Sequence, residues 1–261
     1  MRELDLSIVI IHYRMVDDLL RCLASIYDRK WDVAFEVLII HKPSGDRSRQ
    51  TIVESYPAVR IVETCRFGIA SMRNLGIAGA SGRILCTLDA DVEVLPGAFD
   101  RLVEFMDTHA GAAGAGPKTL RPDGSLEPSC RRFYTVRTLL ARRTPLRPLI
   151  GGDRLERVHL MEDWDHGSVR EVDWVAGACI VMSRDAVGAI GMFDESFVYG
   201  FEDVDWCYRA RLSGRTVYYV PDASIIHHVQ RRSARGLNWM TLQHLKSAFH
   251  FYHKHRRQRR W

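Results

Sequence analysis

Two aspartates, Asp89 and Asp91, close the apolar run ILCTLDADVEV (residues 84–94), with only Ala90 between them. Asp is disfavoured in strands and like charges repel, so strand propensity does not account for the pair. Two carboxylates two residues apart at a strand end can share one hard divalent cation, Mg2+ or Mn2+, whose shell takes oxygen ligands, waters and phosphates. The same residues also suit a cap on the helix starting at Pro96, or a solvated turn. A second acidic group, Glu202, Asp203 and Asp205, stands at the head of a later helical stretch. A positioned carboxylate can take a proton from an attacking hydroxyl. Acids in a first helical turn are also favoured by its dipole, by roughly 0.3–1 kcal/mol each. His227 and His228 follow a strand. An imidazole beside the aspartates would shift preference from Mg2+ towards Mn2+, and a histidine at a strand end is also an ordinary structural residue.

These groups need elements to hold them. LSIVII (6–11), FEVLII (35–40), VRIVET (59–64) and RILCTL (83–88) read as short buried strands. Between them lie helical stretches: one with Leu19, Leu20, Leu23 and Ile26 on a face, then RSRQTIVESY, then a helix near 70–80. PGAFDRLVEFMDTH, with Pro near its start, is the next. Such alternation predicts an α/β class, βαβ units and a mostly parallel sheet, in which ligands bind outside the carboxyl ends of the strands. Asp89 and Asp91 are at one of those ends. In the second half, a hairpin is predicted around Pro122-Asp123-Gly124 and a long loop with one short helix over 131–170. VDWVAGACIVMSRDAV gives a strand pair leading into a helix, and EDVDWCYRARLSG a helix ended by Gly214. TVYYVPDASII reads as strand segments broken at Pro221. The last helix places Leu242, Leu245, Phe249 and Tyr252 on one face.

The 261 residues are 46% hydrophobic, enough for one large core or two unequal lobes. The formal charge of +5 is unevenly spread: residues 229–261 hold nine Lys and Arg and no acid, leaving 28 basic against 32 acidic groups before them. The six cysteines never form a CxxC pair, so neither a zinc site nor a redox motif is indicated. LSIVII is too short for a signal h-region or a membrane span. A cytoplasmic protein is the expectation.

Upstream of the aspartates, RFGIASMRNLGIAGASGRILCTLDADV spaces Gly68, Gly76, Gly79 and Gly82 around a helix bearing Arg73 and Asn74. A second block, DWVAGACIVMSRDAVGAIGMFDESFVYGFEDVDWCYRARLSGRTVYYVPDASIIHH, contains F-D-E-x-F, E-D-x-D and a late His. In this order the blocks resemble the family-2 inverting glycosyltransferases with the GT-A fold, on the rhamnosyltransferase-like branch, over most of residues 6–228. The resemblance implies a GT-A domain over 1–228, a Rossmann-like mixed sheet flanked by helices. Residues 1–117 would be its nucleotide-sugar-binding half and 118–228 its acceptor-binding half, with 229–261 a basic amphipathic helix and tail. It implies transfer from a nucleoside-diphosphate sugar to a glycan or polyprenyl-linked saccharide in envelope polysaccharide synthesis. By the same resemblance, Asp91 is the principal metal ligand and Asp89 touches ribose or metal. His227 completes the shell, and Asp203, ahead of Glu202, is the base. Neither periodicity nor spacing decides between those two. Donor contacts fall on His12, Arg14, His41, Gly68, Arg73, Asn74 and Asp89, with the Arg73 guanidinium matched to phosphate geometry. Acceptor contacts fall on Trp174, Gly177 and Asp205, although Trp174 also suits a core.

Two departures stand out. The family's second strand usually ends in Asp-Asn, with the Asp reading the nucleotide base; here the position is His41. Neutral His accepts through one nitrogen only and protonated His not at all, which puts the usual UDP or dTDP preference in doubt. His12-Tyr13-Arg14 replaces a common Asn-Tyr-Asn. The basic tail, ending RRQRR, suits an anionic bilayer at about 1 kcal/mol per cation, hence peripheral contact with the inner face of the cell membrane. The alternative is a helix docked by Leu242, Leu245 and Phe249 with a solvated charge run. No nucleic-acid-binding module accompanies the cluster. A nicotinamide oxidoreductase would need G-x-G-x-x-G after the first strand, where IIHYRMVDD stands. A non-catalytic scaffold in polysaccharide assembly is the stronger rival, and the intact acids at 89, 91, 202 and 203 argue against it.

Overall fold

The computed structural model describes residues 4–143, 148, 151–228 and 239–256. Its first part alternates β1 (Leu6–His12), α1 (Val16–Tyr27), β2 (Phe35–His41), α2 (Ser48–Ser55), β3 (Arg60–Glu63), α3 (Ile69–Gly79) and β4 (Ile84–Asp89). The strands lie in the order β3-β2-β1-β4, all parallel. Leu6, Ile8 and Ile10 pack with Leu19, Leu23 and Ile26 of α1 and Ile52 of α2, whereas Val9 packs with Ile40 and Met72 of α3. Both sheet faces are therefore covered, as continuous apolar strands require. The register pairs His12 with His41, His41 with Glu63 and Ile11 with Asp89. All four strands thus end at one edge, which presents Glu63, His41, His12 and Asp89.

After β4 come β5 (Val92–Val94), α4 (Ala98–Thr108), β6 (Ala112–Leu120), β7 (Leu126–Glu127), β8 (Cys130–Arg131), α5 (Val136–Arg143) and α6 (Gly152–His159). They are followed by β9 (Arg170–Val172), β10 (Trp174–Val175), β11 (Cys179–Ser183), α7 (Arg184–Ile190), α8 (Glu202–Leu212), β12 (Thr216–His227) and α9 (Trp239–Lys254). Strand β11 inserts antiparallel between β4 and β6, and β12 runs parallel to β6. The division expected between residues 117 and 118 falls inside β6, and one sheet is shared by the stretches on either side. The predicted hairpin is β6–β7. Among its described residues, the 131–170 stretch holds two short helices, α5 and α6, instead of one. Strand β12 is not broken at Pro221: it continues for 12 residues, with a register shift between Val220 and Ser224. Pro lacks an N–H for the ladder, and the irregularity accommodates that loss.

Helix α9 docks by a different face from the one its large side chains suggest. Leu242, Leu245 and Phe249 are 54%, 39% and 73% exposed, while Ser247, Ala248, Phe251 and His255 are buried. Small residues at 247 and 248 let the helix approach closely, and Phe251 fills the core against Phe201 and Tyr208. The anchor is polar. Asp205, fully buried, accepts from Arg209 Nε at 2.8 Å through Oδ2 and meets Lys254 Nζ and His255 Nε2 through Oδ1 at 2.8 and 2.7 Å. Asp205 was expected beside the acceptor; it ties α8 to α9 instead, because a buried carboxylate is retained only where cations neutralise it. Burial opposes its charge, but the bonds from His255, Arg209 and Lys254 hold its pKa below the ordinary range. Asp205→Asn should therefore cost about 3 kcal/mol in urea unfolding at neutral pH. The deficit should disappear as pH falls through the depressed folded-state pKa, because the carboxylate's contribution exists only above it.

The RRQRR end lies outside the described residues apart from Arg256, which is exposed. Among the described residues no helix is long and apolar enough to cross a membrane.

Candidate active site

Asp89 is the last residue of β4, and the chain turns through Ala90 and Asp91 into β5, which pairs antiparallel with β12. That pairing sets His227 opposite Val92, next to the acid-tipped turn. One ligand atom each from Asp89, Asp91 and His227 lie within 4.8 Å of one another. His228 points elsewhere, its Nε2 lying 2.8 Å from Glu93 Oε1. The ring of His227 bridges two acids, Nε2 lying 3.4 Å from Asp91 Oδ1 and Nδ1 3.2 Å from Glu127 Oε2. Burial disfavours its charge, yet the contacts with Asp91 and Glu127 and the charge of Asp89 hold its pKa up to about 10. Two carboxylates and one imidazole are a donor set that suits Mn2+ or Mg2+. Asp89 does not cap α4, whose N-cap is Gly97 without a side-chain bond.

The other end of Asp89 is held by Arg73. Nη2 of this guanidinium donates to Asp89 Oδ1 and to the Gly177 carbonyl, both at 2.7 Å, and Nη1 donates to Glu202 Oε1 at 3.0 Å. Arg73 is buried, and burial opposes its charge, but Asp89, Glu202 and Asp203 raise its pKa, so it stays a cation. Gly177 is required: a Cβ there would stand 2.5 Å from Arg73 Nη1. The N–H of Gly177 donates to Asp203 Oδ2 at 2.9 Å, and that of Val204 donates to Oδ1 at 2.8 Å. The backbone of one residue, through its N–H on one side and its carbonyl on the other, therefore stands between the Asp203 carboxylate and the Arg73 cation.

Glu202 and Asp203 sit in different environments. Glu202 is 3% exposed, its Oε1 taken by Arg73 and its Oε2 without a partner. Burial first, then Asp203, push its pKa up to about 8 against the pull of Arg73. Asp203 is half-buried and keeps access to solvent. Burial raises its pKa as well, against the two backbone N–H groups and Arg73. Both acids follow Phe201, a buried aromatic residue at φ 72. A bulky side chain in the left-handed region is strained, and such strain clusters at functional sites.

Three further residues expected at the site are occupied otherwise. Asn74 donates to the Phe193 carbonyl and to Glu195 Oε1 and accepts from the Phe193 N–H, so it fastens α3 to the 193–195 loop. Trp174 is 3% exposed, donates to the Arg132 carbonyl and packs in the core with Tyr134, so the core reading applies and not an acceptor wall. Gly68, at φ 114, caps α3 with its backbone beside Val198.

His12 and His41 form a buried pair, Nδ1 to Nδ1 at 2.9 Å with stacked rings. Burial, and then His41, lower the His12 pKa to about 4; burial also lowers that of His41. The Met15 N–H approaches His12 Nε2 at 3.4 Å and can only donate, so the His12 proton is on Nδ1. His12 then donates to His41 Nδ1, leaving the His41 proton on Nε2. Arg14, exposed at φ 55, stands beside Tyr13 at the same edge. Glu127 escaped the sequence reading, since a carboxylate two residues past a hairpin turn has no signature until the hairpin register is known.

Residues 7–165 match the family model for glycosyl transferase family 2. The chain is 30% identical over 232 residues to N-acetylglucosaminyl-diphospho-decaprenol L-rhamnosyltransferase of Mycobacterium tuberculosis, covering 82% of this chain and 73% of that one. Over 240 residues it is 25% identical to the uncharacterized glycosyltransferase YibD of Escherichia coli, covering 90% of this chain and 66% of that one. Among solved structures, GalNAc-T7 with UDP, GalNAc and Mn2+ superposes with a TM-score of 0.70 at 17% identity. The match covers 97% of this chain and 48% of that chain. The mannosyltransferase PcManGT of Pyrobaculum calidifontis with GDP-Man and Mn2+ gives 0.62 at 18% identity, covering 98% and 65%. The architecture is the GT-A fold of glycosyltransferases. Within that class, the chain belongs to glycosyl transferase family 2 and is rhamnosyltransferase-like.

Proposed function

We propose that the chain transfers a sugar, with inversion and with a divalent cation, from a nucleoside-diphosphate sugar to a glycan or polyprenyl-linked saccharide. The observation that carries this reading is the continuity of one charged network. Asp203, half-buried, is joined through the N–H and carbonyl of Gly177 to Arg73, which grips Asp89 of the Asp89–Asp91–His227 cluster. In the reaction, the acceptor oxygen forms a bond to the anomeric carbon while the bond to the diphosphate oxygen breaks, its electron pair leaving on the diphosphate. Asp203 takes the acceptor proton. Arg73 fixes Asp89 towards the donor side, and burial keeps the neighbouring Glu202 protonated near neutral pH, so it does not compete with Asp203 as a base. Asp91, Asp89 and His227 would hold a divalent cation, which would supply Lewis-acid stabilisation to the departing diphosphate. His12 and His41 lie at the same strand edge, where His41 offers an N–H to an acceptor atom of the base.

The acceptor class rests on the name of the mycobacterial relative, which acts on a decaprenyl-diphosphate-linked sugar. The outward face of α9 accords with a bilayer-borne acceptor: Leu242, Leu245 and Phe249 are exposed on a helix with no Asp or Glu. Incubating the chain with UDP-, dTDP- and GDP-sugars, Mn2+ and a polyprenyl-diphosphate-linked saccharide in anionic vesicles or in detergent tests the reading. Mass spectrometry should find one added sugar, with faster transfer in vesicles. Binding of a nucleotide sugar without transfer in any combination would instead favour the scaffold reading.

A further inference from the structure

The β6–β7 arm brings a carboxylate behind the ring of His227. Glu127 pairs with Thr119 in that arm, and its Oε2 lies 3.2 Å from His227 Nδ1 while Nε2 of the same ring faces Asp91. Among the described residues, apart from this ion-pair contact, no hydrogen bond reaches Glu127 Oε2, which is closed to solvent. A buried carboxylate oxygen needs a partner, and His227 is the one within reach. Glu127 itself is not among the atoms gathered within 4.8 Å at the cluster, so it stands behind the ligand and not beside it.

The arm is built to hold that position. At the turn, the Arg121 N–H donates to the Ser125 carbonyl and the Gly124 N–H to the Arg121 carbonyl, while Asp123 Oδ1 accepts from the Ser125 N–H and hydroxyl. Arg121 also donates to the Ser125 hydroxyl from Nη1, closing the hairpin two residues before Glu127.

We infer that Glu127 is a positioning residue for the cation site: it accepts the Nδ1 proton of His227, fixing the tautomer and ring plane that leave Nε2 free to ligate a cation on the side of Asp89 and Asp91. An imidazole that ligates through one nitrogen has its orientation set by the bond its other nitrogen makes, and loss of that partner typically weakens metal binding 10–100-fold. This inference rests on the cation-binding reading of the cluster, and its test separates the two.

Mn2+ binding to the full chain is measured by electron paramagnetic resonance, with nitrogen coupling to the bound ion as the signature of His227. Glu127→Leu should bind Mn2+ about 10–100-fold more weakly and lose most of the coupling. Glu127→Gln, which keeps an oxygen acceptor for the Nδ1 proton, should recover most of both. Independently of any variant, a 15N-histidine spectrum of the Mg2+-loaded chain should place the His227 proton on Nδ1; a proton on Nε2 would overturn the inference. If the unsubstituted chain binds no Mn2+, the cation reading itself falls. Mn2+ binding that is lost in Asp91→Ala but unchanged in affinity and coupling in Glu127→Leu overturns the role of Glu127 alone.

Discussion

Asp203→Asn should lower single-turnover transfer about 10²–10⁴-fold while leaving donor affinity nearly unchanged. The substitution preserves shape but removes the carboxylate that takes the acceptor proton in the proposed reaction. The contacts that define Asp203 favour it over its neighbour. Its oxygens are each held by one backbone N–H, from Gly177 and Val204, and it retains solvent access, whereas Glu202 is closed off against Arg73. Burial raises the Asp203 pKa, so the acid limb of the pH–rate profile should lie above the ordinary carboxylate range and be absent in the variant. Calorimetry of donor binding alongside transfer checks the pair of outcomes. A loss of donor affinity comparable to the loss of rate would place Asp203 in donor binding and remove it from the chemistry.

Asp91→Ala should be nearly as damaging for a different reason. Asp91 is the acid that faces His227, and its backbone carbonyl accepts from the His228 N–H, so the turn stays pinned when the side chain is removed. What goes is a carboxylate oxygen of the proposed cation site. Lewis-acid stabilisation is worth several kcal/mol, so a loss of at least about 10²-fold in kcat/KM is expected. Excess Mn2+ should not restore the rate in this variant, and a steady-state series over Mn2+ concentration reads that directly. Near-normal rates at saturating Mn2+ would show that Asp91 is dispensable.

Much of this arrangement was legible in the sequence because it is local. The first four strands announce themselves as apolar β-branched runs between helical stretches, and parallel order brings Asp89 to the carboxyl edge with no further information. The E-D pair was visible too, but its division of labour was not. That depends on Arg73, which reaches Glu202 across 129 positions of sequence and Gly177 across 104. Asn74 and Asp205 were misplaced for the same reason. A polar residue inside a motif looks like a ligand until its partners are known, and here these are the 193–195 loop for one and Arg209, Lys254 and His255 for the other. Helix α9 misled because Leu242, Leu245 and Phe249 are on the outside, while the buried stripe is Ser247, Ala248, Phe251 and His255. Pro221 looked like a strand breaker, but a long strand beside β6 tolerates it through an irregular register.

The most direct measurement is a calorimetric titration of the nucleoside diphosphate released by the preferred donor, run once with Mn2+ and once with excess chelator. A cation shared between Asp91 and the nucleotide's phosphates predicts tight one-to-one binding with Mn2+ and a large loss of affinity in chelator. Equal affinity under the two conditions would contradict it, and with it the role assigned to the tip of the fourth strand.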